Sequence, residues 1–241
     1  MPTTSDYTEG HTVRAYDAEM ENLRTLLLET GGLVTDQIDK AVAATLERST
    51  ALADLVRDRE AEVNRRDTAA EEMVFSLLAK RQPIGADLRA ILAMYKAMTD
   101  LERAGDEAKK IAKIGRRLVD DDIPTDPEFA EVIRNMSRLA THLLKRVLEA
   151  LDDANAETAI EVAQADARLD AEYKVALRLV HERLIEAPNK IDHAADLVIA
   201  IKALERIGDH AKNIARYVIF LVEGKDVRHV KARHLGEEIS S

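Results

Sequence analysis

Apolar residues recur at three- and four-residue steps along most of this chain, the spacing of one face of an α-helix. Met20, Leu23, Leu27, Val34, Ile38, Val42 and Leu46 predict a first long helix behind a polar head that runs to about Gly10. Gly31 and Gly32 interrupt it. Each mid-helix glycine costs about 1 kcal/mol relative to alanine, so the pair reads as a close approach or a kink. A second helix is expected from Leu52 to Lys80, with Leu55, Val63, Met73, Leu77 and Leu78 on its apolar side, ended by the step Gln82-Pro83. A third follows from Gly85 to Val119, its apolar track running through Ile84, Leu88, Ile91, Tyr95, Met98, Leu101, Gly105, Ala108 and Ile111.

The strongest break is Asp120-Asp121-Asp122 with Pro124 and Pro127. It lacks the spaced oxygen ligands and the glycine of a calcium loop and reads as a solvated linker. Asp126 before Pro127 has the form of an N-cap with proline in the first helical position. A fourth helix then extends to Leu151, a fifth covers Glu157 to Glu186, and a sixth runs from Lys190, beyond Pro188, to Glu223, where Gly224 stops it. Long helices joined by short turns pack as antiparallel neighbours. The expected fold is all-α, two tandem related three-helix bundles: a flexible head over residues 1–14, a first repeat over 15–122, a second over 123–224, and a tail over 225–241 that reads as a frayed terminus.

Composition narrows the function. The 241 residues are 46% hydrophobic and 33% charged, only 3% aromatic and without Trp, the vocabulary of helices rather than sheets. A net charge of −10 argues against nucleic acid as a partner, since phosphate binding needs a basic face. The absence of cysteine excludes disulfides and thiolate metal sites. Residues 1–15 lack an apolar signal region and no stretch reaches the length of a membrane span. A cytoplasmic protein is expected, meeting a membrane only through partners.

The candidate chemistry is an acidic phrase that occurs twice. Leu101-Glu102-Arg103-Ala104-Gly105-Asp106 returns 103 residues later as Leu204-Glu205-Arg206-Ile207-Gly208-Asp209, and Ala108, Lys109, Ile111 and Ala112 recur with it as Ala211, Lys212, Ile214 and Ala215. Carboxylates four residues apart share a helix face. Held together they repel unless neutralised, and oxygen donors favour hard cations such as Mg²⁺, Mn²⁺, Ca²⁺ or iron. Glu102, Asp106, Glu205 and Asp209 are the candidate metal residues. An antiparallel register centred on the turns places Asp58, Glu62 and Asn64 near the first pair, and Asp166 and Asp170 near the second. Lys110, four residues after Asp106, supplies a neutralising charge, whereas Asn213, four after Asp209, adds an oxygen. If only one copy holds a cation, the second is the expected site. The competing reading is plain: acidic residues on helix borders form salt bridges, and Glu102 and Glu205 each precede an arginine.

A di-iron carboxylate enzyme requires Glu-x-x-His on two helices. No glutamate lies three residues before any of the seven histidines, and His142, His193 and His210 read as polar-face residues. No glycine-rich phosphate loop is present. A purely structural adaptor without metal remains the alternative.

Leu204-Glu205-Arg206-Ile207-Gly208-Asp209-His210-Ala211, continuing through Asn213-Ile214-Ala215, resembles the hallmark of the PhoU family, regulators of the phosphate-specific ABC transporter. Gly31-Gly32-Leu33, Gln82-Pro83 with Asp87-Leu88-Arg89, and Gly224-Lys225-Asp226-Val227-Arg228-His229 fit as well, so the resemblance covers residues 15 to 230. It implies a pair of three-helix bundles, often a homodimer, whose two motifs carry metal ions or iron clusters, here on Glu102, Asp106, Glu205 and Asp209, with Asp100 extending the first. It implies no enzyme but a negative regulator of the phosphate-starvation response, linking the transporter's ATP-binding subunit to a phosphate-sensing histidine kinase. The chain departs from the family pattern at Glu107 and Lys110, where His and Asn are common, and at Ala203.

Overall fold

A computed structural model describes the backbone of residues 4–124, 126–187 and 191–240. Six long helices follow one another: α1 (Thr4–Leu46), α2 (Thr50–Arg81), α3 (Ala86–Asp120), α4 (Pro127–Asp152), α5 (Ala156–Glu186) and α6 (Ile191–Glu223). A 3-10 turn (Ala232–His234) and a short α7 (Leu235–Ser240) close the chain, and no strand occurs among the described residues. The expected start of the sixth helix at Lys190, with Pro188, lies outside the described residues, as do residues 1–3 of the head.

Local chemistry sets the helix ends. Ser49 and Asn155 cap α2 and α5 by accepting the N–H of Leu52 and Thr158, and Asp126 caps α4 by accepting those of Glu128 and Phe129. Gln82 ends α2 in the left-handed region, its N–H donating to the Leu78 carbonyl. Gly224 ends α6 at φ +72, and Arg89 of α3 lies where a side chain at Gly224 would have to go, its Nε donating to the Leu221 carbonyl at 3.2 Å. Two motifs far apart in sequence thus form one helix cap.

Helices α1–α3 pack against one another, as do α4–α6, and the halves join through counterparts, α1 against α4 and α3 against α6. Gly31 is the close approach at the first junction. A Cβ there would stand 2.5 Å from Leu148 of α4, while Gly32 faces open space. At the second junction, Arg89 meets Leu221, Asp100 meets His210 and Asn213, Glu107 meets Arg206, and Arg117 meets Asp196. These steps run in opposite directions, so α3 and α6 are antiparallel and the two acidic phrases cross at mid-molecule. Leu101, Ile111, Leu204, Ile207 and Ile214 are wholly buried, each stabilising the fold by about 1.5–3 kcal/mol.

The tail does not fray. Val227 and Leu235 are buried, Arg216 donates to the Val230 carbonyl, and Lys225 Nζ donates to the carbonyls of Glu238 and Ile239. A polar composition concealed two apolar anchors that hold the segment against the second bundle.

Candidate functional site

Each acidic phrase is aimed by its glycine. A Cβ on Gly105 would meet Gln37 at 3.1 Å and Val63 at 3.6 Å, and one on Gly208 would meet Leu169 at 2.3 Å and Asp166 at 3.0 Å. The two third helices therefore lie close against their own bundles at these points. Glu102 and Asp106 lie on the α2 side of α3, and Glu205 and Asp209 on the α5 side of α6.

In the second copy the acids are already neutralised. Lys212 Nζ bridges Asp166 of α5, at 2.5 Å, and Asp209, at 2.9 Å, while Lys202 donates to Glu205 at 2.5 Å. Burial pushes Asp166 above the usual carboxylate range against the pull of Lys212, and Asp170 and Asp209 add to the rise. Burial works against the Lys212 charge too, but its hydrogen bonds to Asp166 and Asp209 outweigh it and raise its pKa. The pair is ionic, because a neutral Asp166 would leave Lys212 partly buried with one exposed acceptor, Asp209.

The first copy is arranged similarly but less completely. Lys109, the counterpart of Lys212, reaches the buried Glu60 of α2 at 3.2 Å and lies 3.9 Å from Asp106. Glu60 also accepts from Gln37 at 3.2 Å, whose amide reaches the Gly105 carbonyl at the same distance. Glu102 makes no ion pair within 4 Å among the described residues and feels only the charge of the adjacent Arg103. Burial raises its pKa, and Asp106, Asp67 and Glu60 raise it further. Asp67 is raised by burial and by Glu71.

Asp100 and Asn213 join neither acidic pair. Both lie on the seam between α3 and α6, where buried Asp100 holds His210 Nδ1 at 2.7 Å and Asn213 Nδ2 at 3.3 Å. Tyr217 completes the group, its hydroxyl pushed up to about 12 by burial, by the Asp100 charge and by a hydrogen bond to it. His210, expected on a polar face, is buried, and its Nε2 has no protein partner. The counterparts of these four residues in the other half are Ala203, Glu107, Lys110 and Ile114. There buried Glu107 takes Lys110 at 2.9 Å and Arg206 at 3.1 Å. One buried polar quartet has thus been exchanged for an ion-pair triad, which explains why three departures from the repeat occur together.

These placements bear on a resident cation. A hard cation needs several oxygens converging on one point, and among the described residues no three carboxylate or imidazole groups do so. In the second copy, ammonium groups stand where a cation would be shared, so this donor set does not fit a metal as folded. The reasoning that favoured the second copy rested on Lys110 and Asn213, and both turn to the seam. In the first copy Glu102 is the least neutralised of the four acids, raised by burial, Asp106, Asp67 and Glu60 against the pull of Arg103 alone. Asp166 lies where the register placed it. Asp170 adds only like charge, and Glu60 and Asp67 were missed in favour of Asp58 and Glu62.

Comparison with known proteins agrees with this architecture. The PhoU domain model matches residues 27–115 and 133–218. A "Phosphate-specific transport system accessory protein PhoU homolog" from Pseudomonas aeruginosa is 37% identical over 231 residues, covering 96% of this chain and 95% of that one. The crystal structure of PhoU from Pseudomonas aeruginosa superimposes with a TM-score of 0.83 at 37% identity, covering 87% of this chain and all of the other. That of the phosphate transport system regulatory protein PhoU from Streptococcus pneumoniae gives 0.79 at 27% identity, covering 88% and 99%. With two matched domains in two interlocked bundles, this chain belongs to the PhoU family.

Proposed function

We propose that this protein is a non-enzymatic negative regulator of phosphate uptake and phosphate-starvation signalling. It acts in the cytoplasm as a homodimer, bridging the ATP-binding subunit of the phosphate ABC transporter and a phosphate-sensing histidine kinase. The observation that carries this reading is the match over both halves of the chain to relatives named for phosphate-specific transport. The site chemistry supports it: Lys109, Lys212 and Arg206, in or beside the two phrases, pair with buried acids of neighbouring helices, which suits a protein that works by presenting surfaces. Its membrane association runs through the transporter, and no helix of the described residues is long and apolar enough to cross a membrane.

A hard cation, divalent or iron-type, is best served by the first copy. Glu102 and Asp106 would supply two oxygens with water completing the shell, and the ion would relieve the repulsion that raises Glu102. The test of the bridging reading is direct binding of the purified protein to the ATP-binding subunit and to the cytoplasmic part of the kinase, separately and together. A ternary complex is expected, and failure to bind either protein overturns the reading.

A further inference from the structure

The solvent side of the α3 and α6 seam carries a row of cations that includes the arginine of each acidic phrase and extends beyond them. Lys96, Arg103, Lys110 and Arg117 stand seven residues apart along α3. Seven residues make nearly two turns, so the four line one face over about 32 Å and drift slowly round the helix. Lys110 and Arg117 keep 47% and 51% of their side-chain surface exposed. Arg103 is exposed, and its charge acts on the neighbouring Glu102. From α6, Arg206 joins this row through Glu107, and one heptad before it Ile199 is 48% exposed. The acids of the seam, Asp100, Glu107 and Asp196, are buried beneath the cations.

On a protein of net charge −10, we propose that this row is a docking track for an acidic α-helix of a protein partner. A seven-residue spacing of charge matches the repeat at which one helix meets another lying alongside it, and exposed Ile199 offers an apolar anchor within the track. The margins decide between anionic partners. Glu102 and Asp106 border the track on the α2 side, and Glu205 and Asp209 on the α5 side. Glu205 and Asp209 are paired with Lys202 and Lys212 and Glu102 stays acidic at the other edge, so the positive strip is one helix wide and matches one line of carboxylates better than a broad anionic sheet such as a membrane or a nucleic-acid backbone. The proposal deepens the bridging reading by naming the face a partner helix occupies, and rests on it only for that partner's identity.

The test uses the full chain and a synthetic alanine-rich helical peptide with glutamate at every seventh position, beside a lysine version and vesicles of phosphatidylglycerol. The glutamate peptide should bind at low ionic strength and dissociate as salt rises. Arg103→Glu/Lys110→Glu/Arg117→Glu should weaken binding about tenfold or more, while Arg168→Glu/Lys174→Glu/Arg178→Glu on α5, with the same change in net charge, should not. Because Lys110 and Arg117 also pair with buried acids, Arg103→Gln alone, which adds no carboxylate beside Glu102, serves as the variant expected to melt close to the parent and still bind more weakly. No binding of the glutamate peptide to the parent, unchanged binding by both seam variants, or tighter seam-dependent binding to the vesicles overturns the proposal. A parent that binds the peptide but neither transporter subunit nor kinase overturns the bridging reading and leaves the track standing.

Discussion

Replacing Lys212 with Met removes the charge that holds Asp166 and Asp209 together while keeping most of the aliphatic stem. Asp166 is left buried, its side chain 5% exposed, with no neutralising partner. Breaking a fully buried pair from one side costs about 3–5 kcal/mol. Lys212 retains 20% exposure and Asp166 can escape by taking up a proton, so we expect about 2–3 kcal/mol. For a chain of this size that lowers the melting temperature by about 4–12 °C, read by circular dichroism. The pH dependence carries the sign. Burial already raises Asp166 in the folded state, and losing Lys212 raises it further. The folded protein then binds a proton the unfolded chain does not, which favours folding below the raised pKa and is lost above it. The deficit of Lys212→Met should therefore be largest at neutral pH and shrink on acidification, and Asp166→Asn in the same chain should recover part of it. A variant that melts with the parent at neutral pH would refute the bridging role of Lys212.

Further outcomes follow from the same geometry. Gly115→Ala would place a Cβ 2.8 Å from the Thr45 Cα, a backbone atom, so it should destabilise by about 1–3 kcal/mol, whereas Gly32→Ala, with nothing within 4 Å, should stabilise by up to about 1 kcal/mol; denaturant melts measure both. Asp100→Ala strands His210, Asn213 and Tyr217 across the seam and should cost about 2–4 kcal/mol, while the Tyr217 hydroxyl, released from the carboxylate, should titrate below about 12 in ultraviolet absorbance. Glu102→Gln removes a carboxylate raised by burial and by Asp106. Its melting temperature should rise at neutral pH, and the gain should fade as acid protonates Glu102 in the parent.

Much of the fold was legible because the physics is local. Apolar spacing marked the helices, and Asp126-Pro127, Gln82-Pro83 and Gly224 marked their ends. The tail was misread because Val227 and Leu235 are two apolar residues in a polar segment, and only tertiary packing reveals them as anchors. The acidic phrases were legible by their 103-residue interval, but their neutralisation was not. Lys109 and Lys212 recur at that same interval, but recurrence alone does not show what they pair with. Their acceptors, Glu60 and Asp166, are 106 residues apart, so a fixed-interval alignment does not pair them, and only the folded register brings them together. The cation row on α3 stood openly in the sequence at seven-residue spacing, hidden by attention to the apolar period.

The most direct measurement of the central claim is expression of a phosphate-starvation reporter in cells lacking this gene, grown with abundant phosphate. A negative regulator predicts that the reporter turns on in its absence and is silenced again by the restored protein. A reporter that stays silent without the gene would contradict the account.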